Sequence, residues 1–476
     1  MSYIKKILAP IQKSMRQSVS SFINLETADN ETTLVSNDGS LISYLKVEGS
    51  KQIIGEEEYN NIVEGATIKI GARFDRQGHA MQVYYVRDPG RIEKVLNGLM
   101  RPLKISANSI GLEIEDLIEE RVSHLQRFLS HEEAYFVLWT RSSVLTKSEI
   151  ARASKDTLEN AKQWVNAPDS QFPYATLEPL RTRHKSYISA MTGALEELGI
   201  SCNIMEVHDA LNAVRSNMFP DRANDKWRAC LPGDPIPPRA PTSRIDMSDI
   251  LWPNLPNQLV AGDARVLGKS VCRIGDTYWA GGDMSLGPMD ATAFPILLNR
   301  LVEADIPFRI SFLIEGGGIY ATQLRTFLAT IMGPTNTANK QIKYSLEGLQ
   351  TMARSEPVVR LRVSFATWCA LKEKDEIQDR LSVLLQAIES WGYAQVTEFS
   401  GDALDCIMSS AMGIHCAGTA PTGIAPMKEV MKLLPWQRPS SPFKQGGSVL
   451  FRTPDGKVWP YQTGTNLTTT WFDLIF

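Results

Sequence analysis

Few residues in this chain have types and spacing suited to chemistry. The nearest thing to a phosphate-binding loop is Gly262-Asp263-Ala264-Arg265-Val266-Leu267-Gly268-Lys269-Ser270. A working GxxxxGK[ST] loop places four residues between its glycines, so that successive amides and the lysine converge on one phosphate. Here five intervene, and Val271 to Ile274 read as a strand rather than a helix whose first amides could hold an anion. The expectation is a hairpin with a glycine bend; the alternative is a nucleotide-hydrolysing enzyme using Lys269 and Ser270. Gly316, Gly317 and Gly318 fall between an expected strand and an expected helix, where anions can bind. No lysine follows in place and the dinucleotide glycine spacing is missing, so a tight turn is expected. Asp402, Asp405, Cys406, His415 and Cys416 are the one cluster to weigh as metal ligands, but their separations match no common zinc pattern, and Asp402 has an easier task as a helix cap. Six histidines, with neither GxSxG nor HExxH, show no hydrolytic constellation. No catalytic, cofactor or metal residue is assigned; the chain is expected to bind and position.

Binding has one clear sequence candidate. Residues 1–25 carry Ile4, Ile7, Leu8, Ile11, Met15, Val19 and Phe22 at helical spacing, while Lys5, Lys6, Lys13 and Arg16 add positive charge and no acid opposes them. Pro10 imposes a start or kink. Such a segment docks on an anionic membrane face or a membrane-embedded partner, or it packs on its own domain.

The elements that would position these residues read as α+β. A hairpin is expected over 33–47 around Asn37, Asp38 and Gly39, and a second with Ile68, Ile70, Ala72 and Phe74 on its first strand and Met81 to Val86 on its return. Ile92, Val95, Leu96 and Leu99, then Ile110, Ile114, Leu117, Ile118, Leu125 and Phe128, turn to helical period. A buried strand over 134–139 and helices over 147–165 and 176–198 complete an α+β domain, 26–218. Eight prolines between 220 and 256 mark a linker or an ordered arm, 219–257. From 258 to 420, strand, helix, strand, helical insertion (319–354), strand, helix, strand suggest a ferredoxin-like domain: a double βαβ unit with its helices on one face. Residues 421–476 read as an irregular connector with a hairpin around Pro454, Asp455 and Gly456. No sequence repeat is evident.

The bulk numbers set limits. With 43% hydrophobic and 22% charged residues the chain can bury a large core, and its net charge of −3 gives no basic field for nucleic acid. Six scattered cysteines without a CxxC pair read as reduced thiols, and no apolar run is long enough to cross a bilayer.

Three passages carry a resemblance: VCRIGDTYWAGGDMSLGP (271–288), IPFRISFLIEGGG (306–318) and FRTPDGKVWPYQTGTNLTTTWFDLIF (451–476). They resemble the IcmB/DotO traffic ATPases of Dot/Icm type IVB secretion systems, within the wider VirB and conjugation motor class. The resemblance implies that 451–476 is the hairpin and first strand of a RecA-like motor domain, with the phosphate loop, ATP and Mg belonging to a following part. The apolar run Trp471 to Phe476 fits a chain that continues, because such a run leaves a sticky edge. The implied protein is an ATPase that energises translocation of protein effectors and assembles as a hexamer or hexamer of dimers. It would lie in the bacterial cytoplasm on the inner membrane, against inner-membrane complex subunits and a second secretion ATPase, with no nucleic acid partner.

Overall fold

A computed structural model describes residues 18–50, 54–75, 77–159, 177–223, 226–232, 234, 254–286, 293–318, 357–392, 394–397 and 402–436, with three short strands beyond them. In chain order these form β1 (Leu25–Asn30), β2 (Thr33–Ser36), β3 (Leu41–Ser50), α1 (Glu56–Lys69), β4 (His79–Asp88), α2 (Ile92–Ser109), α3 (Glu115–Leu125), β5 (His131–Thr140), α4 (Lys147–Glu159), α5 (Glu178–Glu197), β6 (Ile200–Ile204) and α6 (Val207–Met218). There follow α7 (Leu255–Leu259), β7 (Ala264–Val266), β8 (Val271–Ile274), β9 (Thr277–Leu286), α8 (Phe294–Glu303), β10 (Phe308–Glu315), β11 (Val358–Ala370), α9 (Ile377–Glu389), β12 (Gln395–Thr397), α10 (Ala403–Ser409), β13 (Gly423–Pro426) and α11 (Met427–Lys432).

The fold is α+β, built on one antiparallel sheet ordered β1-β2-β3-β5-β4-β10-β11-β9-β8-β7, with β6 also on β3, β12 on β9 and β13 on β11. In the second half, β9, β10, β11 and β12 stand in the spatial order β12-β9-β11-β10, the fourth-first-third-second arrangement of a ferredoxin-like unit. The first half repeats it. Here β3, β4, β5 and β6 stand as β6-β3-β5-β4, with α1 and α5 as crossover helices. A short hairpin precedes each unit and a helix, α6 or α10, follows each. The two units abut through β4 and β10, paired from Arg87 with Phe308 to Ala80 with Glu315.

This corrects the reading of residues 54–75. The expected strand through Ile68 and Phe74 is α1 and a short 3-10 turn, and Ile68 points to solvent. Tyr59, Ile62, Val63 and Ala66 give the buried stripe at helical spacing, and three glutamates in the first turn suit the positive end of the helix. The hairpin at Asn37 to Gly39 forms as expected, with Gly39 at φ +78, and Gly199 (φ +73) ends α5 as a left-handed cap.

One sheet face packs the crossover helices through Ile62, Met191, Leu297 and Leu384. The other is covered by α6, α7 and α10 through Leu211, Leu259 and Ile407. At the junction of the units this second face is polar and closed. Arg309 of β10 donates to Ser410 Oγ (2.9 Å), Asn217 O (3.1 Å) and Ile407 O (2.6 Å). Gln82 of β4 donates to Ser311 Oγ and Ala411 O and accepts from the Gly413 amide. Arg309 and Gln82 are thereby paired, as burial requires.

Two boundary expectations change. Residues 423–436 are not an irregular connector: β13 extends β11, and Met427, Val430 and Trp436 are core residues. In the proline-rich stretch, Phe219, Ala229 and Leu231 are buried, and Gln258 of α7 bonds both backbone groups of Cys230. Its described ends are therefore ordered; 235–253, like the expected helical insertion at 319–354, lies outside the described residues. Farther on, β14 (Val449–Arg452) and β15 (Val458–Tyr461) form the expected hairpin, with β16 (Asp473–Leu474) against β14.

Candidate interaction surface

The sequence candidates for nucleotide or metal chemistry resolve into structural roles. Gly262 to Ser270 is a β-hairpin: β7 and β8 pair from Ala264 with Ile274 to Val266 with Cys272, and Lys269 lies exposed in the turn. Ser270 accepts from Gln378 Nε2 at 3.4 Å, and Gly262 allows close approach to Gly275, where a Cβ would come within 2.7 Å of the backbone. A strand following the lysine offers no helix amides to a phosphate. The amides of Gly316 and Gly317 donate to His79 O and Phe74 O, so the triplet is a tight turn. Asp402 caps α10 by accepting from the Leu404 amide at 3.0 Å. No group of three metal-ligating side chains converges among the described residues.

A serine-histidine contact that sequence reasoning missed is also structural. His184 of α5 bridges Ser43 Oγ (3.0 Å) and Thr140 Oγ1 (2.8 Å), and all three side chains are buried. Burial, with His79 nearby, pushes the imidazole down to about 3. Ser43 also donates to Thr32 O, which leaves it a clamp between α5 and the sheet, beyond reach of any substrate.

A cleft of about 510 Å³ beside β6 and α6 is lined by Lys46, Glu48, Arg91, Glu133, Glu206 and Asp209, among others. Within it Lys46 and Arg91 both face Glu133. Burial would raise the Glu133 carboxyl, but a hydrogen bond from His131 and the charges of Lys46 and Arg91 outweigh it and hold the group well below the usual carboxylate range. Lys46 Nζ lies 3.1 Å from Glu133 Oε1.

What stands out is the helical hairpin α2–α3, inserted between β4 and β5. Its two helices are fastened to each other by Ile92, Leu96, Ile118 and Val122, a cluster separate from both main cores, and by the Lys104–Glu115 ion pair at 2.7 Å. Eight of the thirteen exposed large apolar residues among those described fall between Leu99 and Leu129, led by Ile110 (76%), Phe128 (73%) and Leu99 (68%). Exposed apolar residues gathered on one element are the kind of surface that a covering partner would bury. Covering a large aliphatic side chain is worth about 1.5–3 kcal/mol, so this hairpin holds roughly 10 kcal/mol of unused burial before association costs. Helical period marked these helices in the sequence but not their exposure, because period alone does not say which face finds a partner.

The expected docking residues Ile4, Lys5, Lys6, Ile7, Leu8, Ile11, Lys13, Met15 and Arg16 lie outside the described residues. Of the same segment, Val19 and Phe22 are buried on the second face of the sheet. Among the described residues no helix is long and apolar enough to cross a membrane. No protein-family model matches this chain, and no curated protein matches it.

Proposed function

We propose that this chain is the docking and oligomer-assembly region of a type IV secretion motor ATPase of the IcmB/DotO family, attaching a motor to an inner-membrane complex and to its own neighbours. The observation that carries the reading is the α2–α3 hairpin, held together by its own buried cluster while eight large apolar residues from Leu99 to Leu129 stay exposed. The basic segment Ile4 to Arg16 supplies a second contact, toward an anionic membrane or a membrane-embedded subunit. ATP and Mg act in the motor part, on the cytoplasmic side of the inner membrane, and the work done is translocation of protein effectors alongside a second secretion ATPase. The sequence resemblance supplies these specifics. The alternative, a hydrolase built on Lys269 and Ser270, draws no support from a β-hairpin with the lysine in its turn.

The test is the assembly state. Light scattering at micromolar concentration should give a mass that rises with concentration for the wild-type chain. Leu99→Glu with Phe128→Glu should remain monomeric and lose retention by inner-membrane complex subunits, with stability within about 0.5 kcal/mol of wild type because both sites are exposed. A wild-type chain that stays monomeric and is not retained by those subunits ends the proposal.

A further inference from the structure

Where β10 ends, three arginines converge on one carboxylate. Glu315 is its last residue and its side chain is 4% exposed. Arg360 stands directly opposite on β11, Arg362 lies two residues on along the same face, and Arg141 follows the end of β5. Arg141 Nη2 lies 2.8 Å and Arg360 Nη2 3.6 Å from Glu315 Oε1, and Arg362 Nη2 lies 3.7 Å from Oε2. The three arginine side chains are 27%, 26% and 22% exposed. They are largely desolvated but reachable.

The charges in this cluster do not balance. Three guanidiniums face one carboxylate, which leaves two positive charges without an ionic partner inside the cluster. The neighbouring Cys416 does not supply one, since burial pushes its thiol up to about 12 and keeps it neutral. The hydrogen bonds do not close either. Arg362 Nε donates to Thr422 Oγ1 at 2.8 Å, but Arg360 Nε and Glu315 Oε2 are buried with no hydrogen-bond partner. A fully internal ion network would use both, because an unpaired buried polar atom is costly.

We propose that Arg141, Arg360 and Arg362, held in place by Glu315, bind a phosphate-type oxyanion at the end of β10. Guanidinium forks match the divergent oxygens of a phosphoryl group, and its two negative charges equal the excess of the cluster. Glu315 orients the forks from within, and the ligand approaches their exposed edges. This site stands apart from the docking hairpin and does not depend on that reading.

Calorimetric titration of inorganic phosphate into the full chain, at constant ionic strength in chloride, tests it. The wild type should show one saturable site. Arg360→Gln should bind about ten-fold more weakly, the loss of one charge-assisted hydrogen bond. Glu315→Gln should bind more tightly than wild type, since it leaves the three arginines with no internal anion; a purely structural Glu315 predicts the reverse. Glycerol 3-phosphate binding better than inorganic phosphate would assign an esterified phosphoryl group, and the opposite order a free ion. Absence of a saturable wild-type site overturns the proposal, and so does a folded R360Q that binds phosphate unchanged. If R360Q does not fold, the wild-type titration and the sign of the Glu315→Gln effect, followed as a phosphate-dependent rise in melting temperature, still decide.

Discussion

Replacing Arg309 by Met should unfasten the two ferredoxin-like units from the helices that cover their junction. The guanidinium is wholly buried, stacked 4.4 Å over the Trp279 ring, and bonded to Ser410 Oγ, Asn217 O and Ile407 O. Asn217 belongs to the last turn of α6 and Ile407 to that of α10, so one side chain serves the carboxyl ends of helices from both units. Such ends carry carbonyls without intrahelical partners and a partial negative charge, which a cation satisfies. Met fills similar space but removes three charge-assisted hydrogen bonds at about 1.5–3 kcal/mol each, a gross cost of roughly 5–9 kcal/mol, although Ile407 O keeps the Ser410 amide and hydroxyl as donors. Removing a buried cation recovers several kcal/mol of desolvation, leaving a net loss of about 3 kcal/mol. Lys keeps the charge without the fork, so R309K should lose a similar amount. Urea unfolding followed by far-UV circular dichroism and tryptophan fluorescence reports the change, with Trp279 beneath the site as a local probe. An R309M protein within about 1 kcal/mol of wild type, or full rescue by Lys, would refute the reasoning, since either result means that the guanidinium's three hydrogen bonds carry little net energy.

Two further outcomes follow from buried groups. Burial, helped by nearby charges, pushes His79 down to about 4 and His184 to about 3, from an ordinary value of 6.5. The unfolded chain therefore takes up protons first. The stability these neutral rings contribute is complete above pH 6.5 and is lost as pH falls toward 4 and then 3, by up to about 1.4 kcal/mol per pH unit for each ring. H184Q should remove roughly half of that slope between about pH 6 and 4.5, measured by unfolding at several pH values; an unchanged slope would mean that His184 protonates in place. At Gly413, φ is +65 and an added Cβ would lie 2.4 Å from the Tyr44 ring, whose hydroxyl donates to the Gly413 carbonyl. G413A should cost about 3 kcal/mol, combining left-handed strain with displacement of Tyr44, while G39A, at φ +78 with open space around it, costs about 1. Equal midpoint shifts for the two variants in thermal unfolding would show that the close approach to Tyr44 carries no energy.

The second unit was legible in the sequence and the first was not, although they share a topology. In the second, Ile377, Leu381, Leu384 and Ile388 mark a helix after the long apolar strand β11, and no residue competes with that reading. In the first, Ile68-Lys69-Ile70-Gly71-Ala72-Arg73-Phe74 alternates like a strand, but its alternation crosses the end of α1 and a 3-10 turn, where Ile68 faces water and Ile70 and Phe74 face the core. Losing α1 removed one crossover, and without it the double βαβ order of residues 41–204 could not be recognised. Short echoes do exist: Asp209-Ala210-Leu211 near the start of α6 and Asp402-Ala403-Leu404 at the start of α10 open the helices that follow each unit. They are too brief to establish a repeat, because what the fold conserves is the face a residue occupies rather than its identity. Gln82 and Arg309 make the point. Each projects from a central strand onto the second face and bonds the end of α10 or the polypeptide just beyond it, yet one is a neutral amide and the other a cation. The Arg141, Arg360, Arg362 and Glu315 cluster escaped the sequence for the same reason: it draws on three separate segments, around residues 141, 315 and 360, that meet only through the register of β10 with β11 and β4 and of β4 with β5. A site assembled by strand register leaves no local motif, so its detection required the pairing.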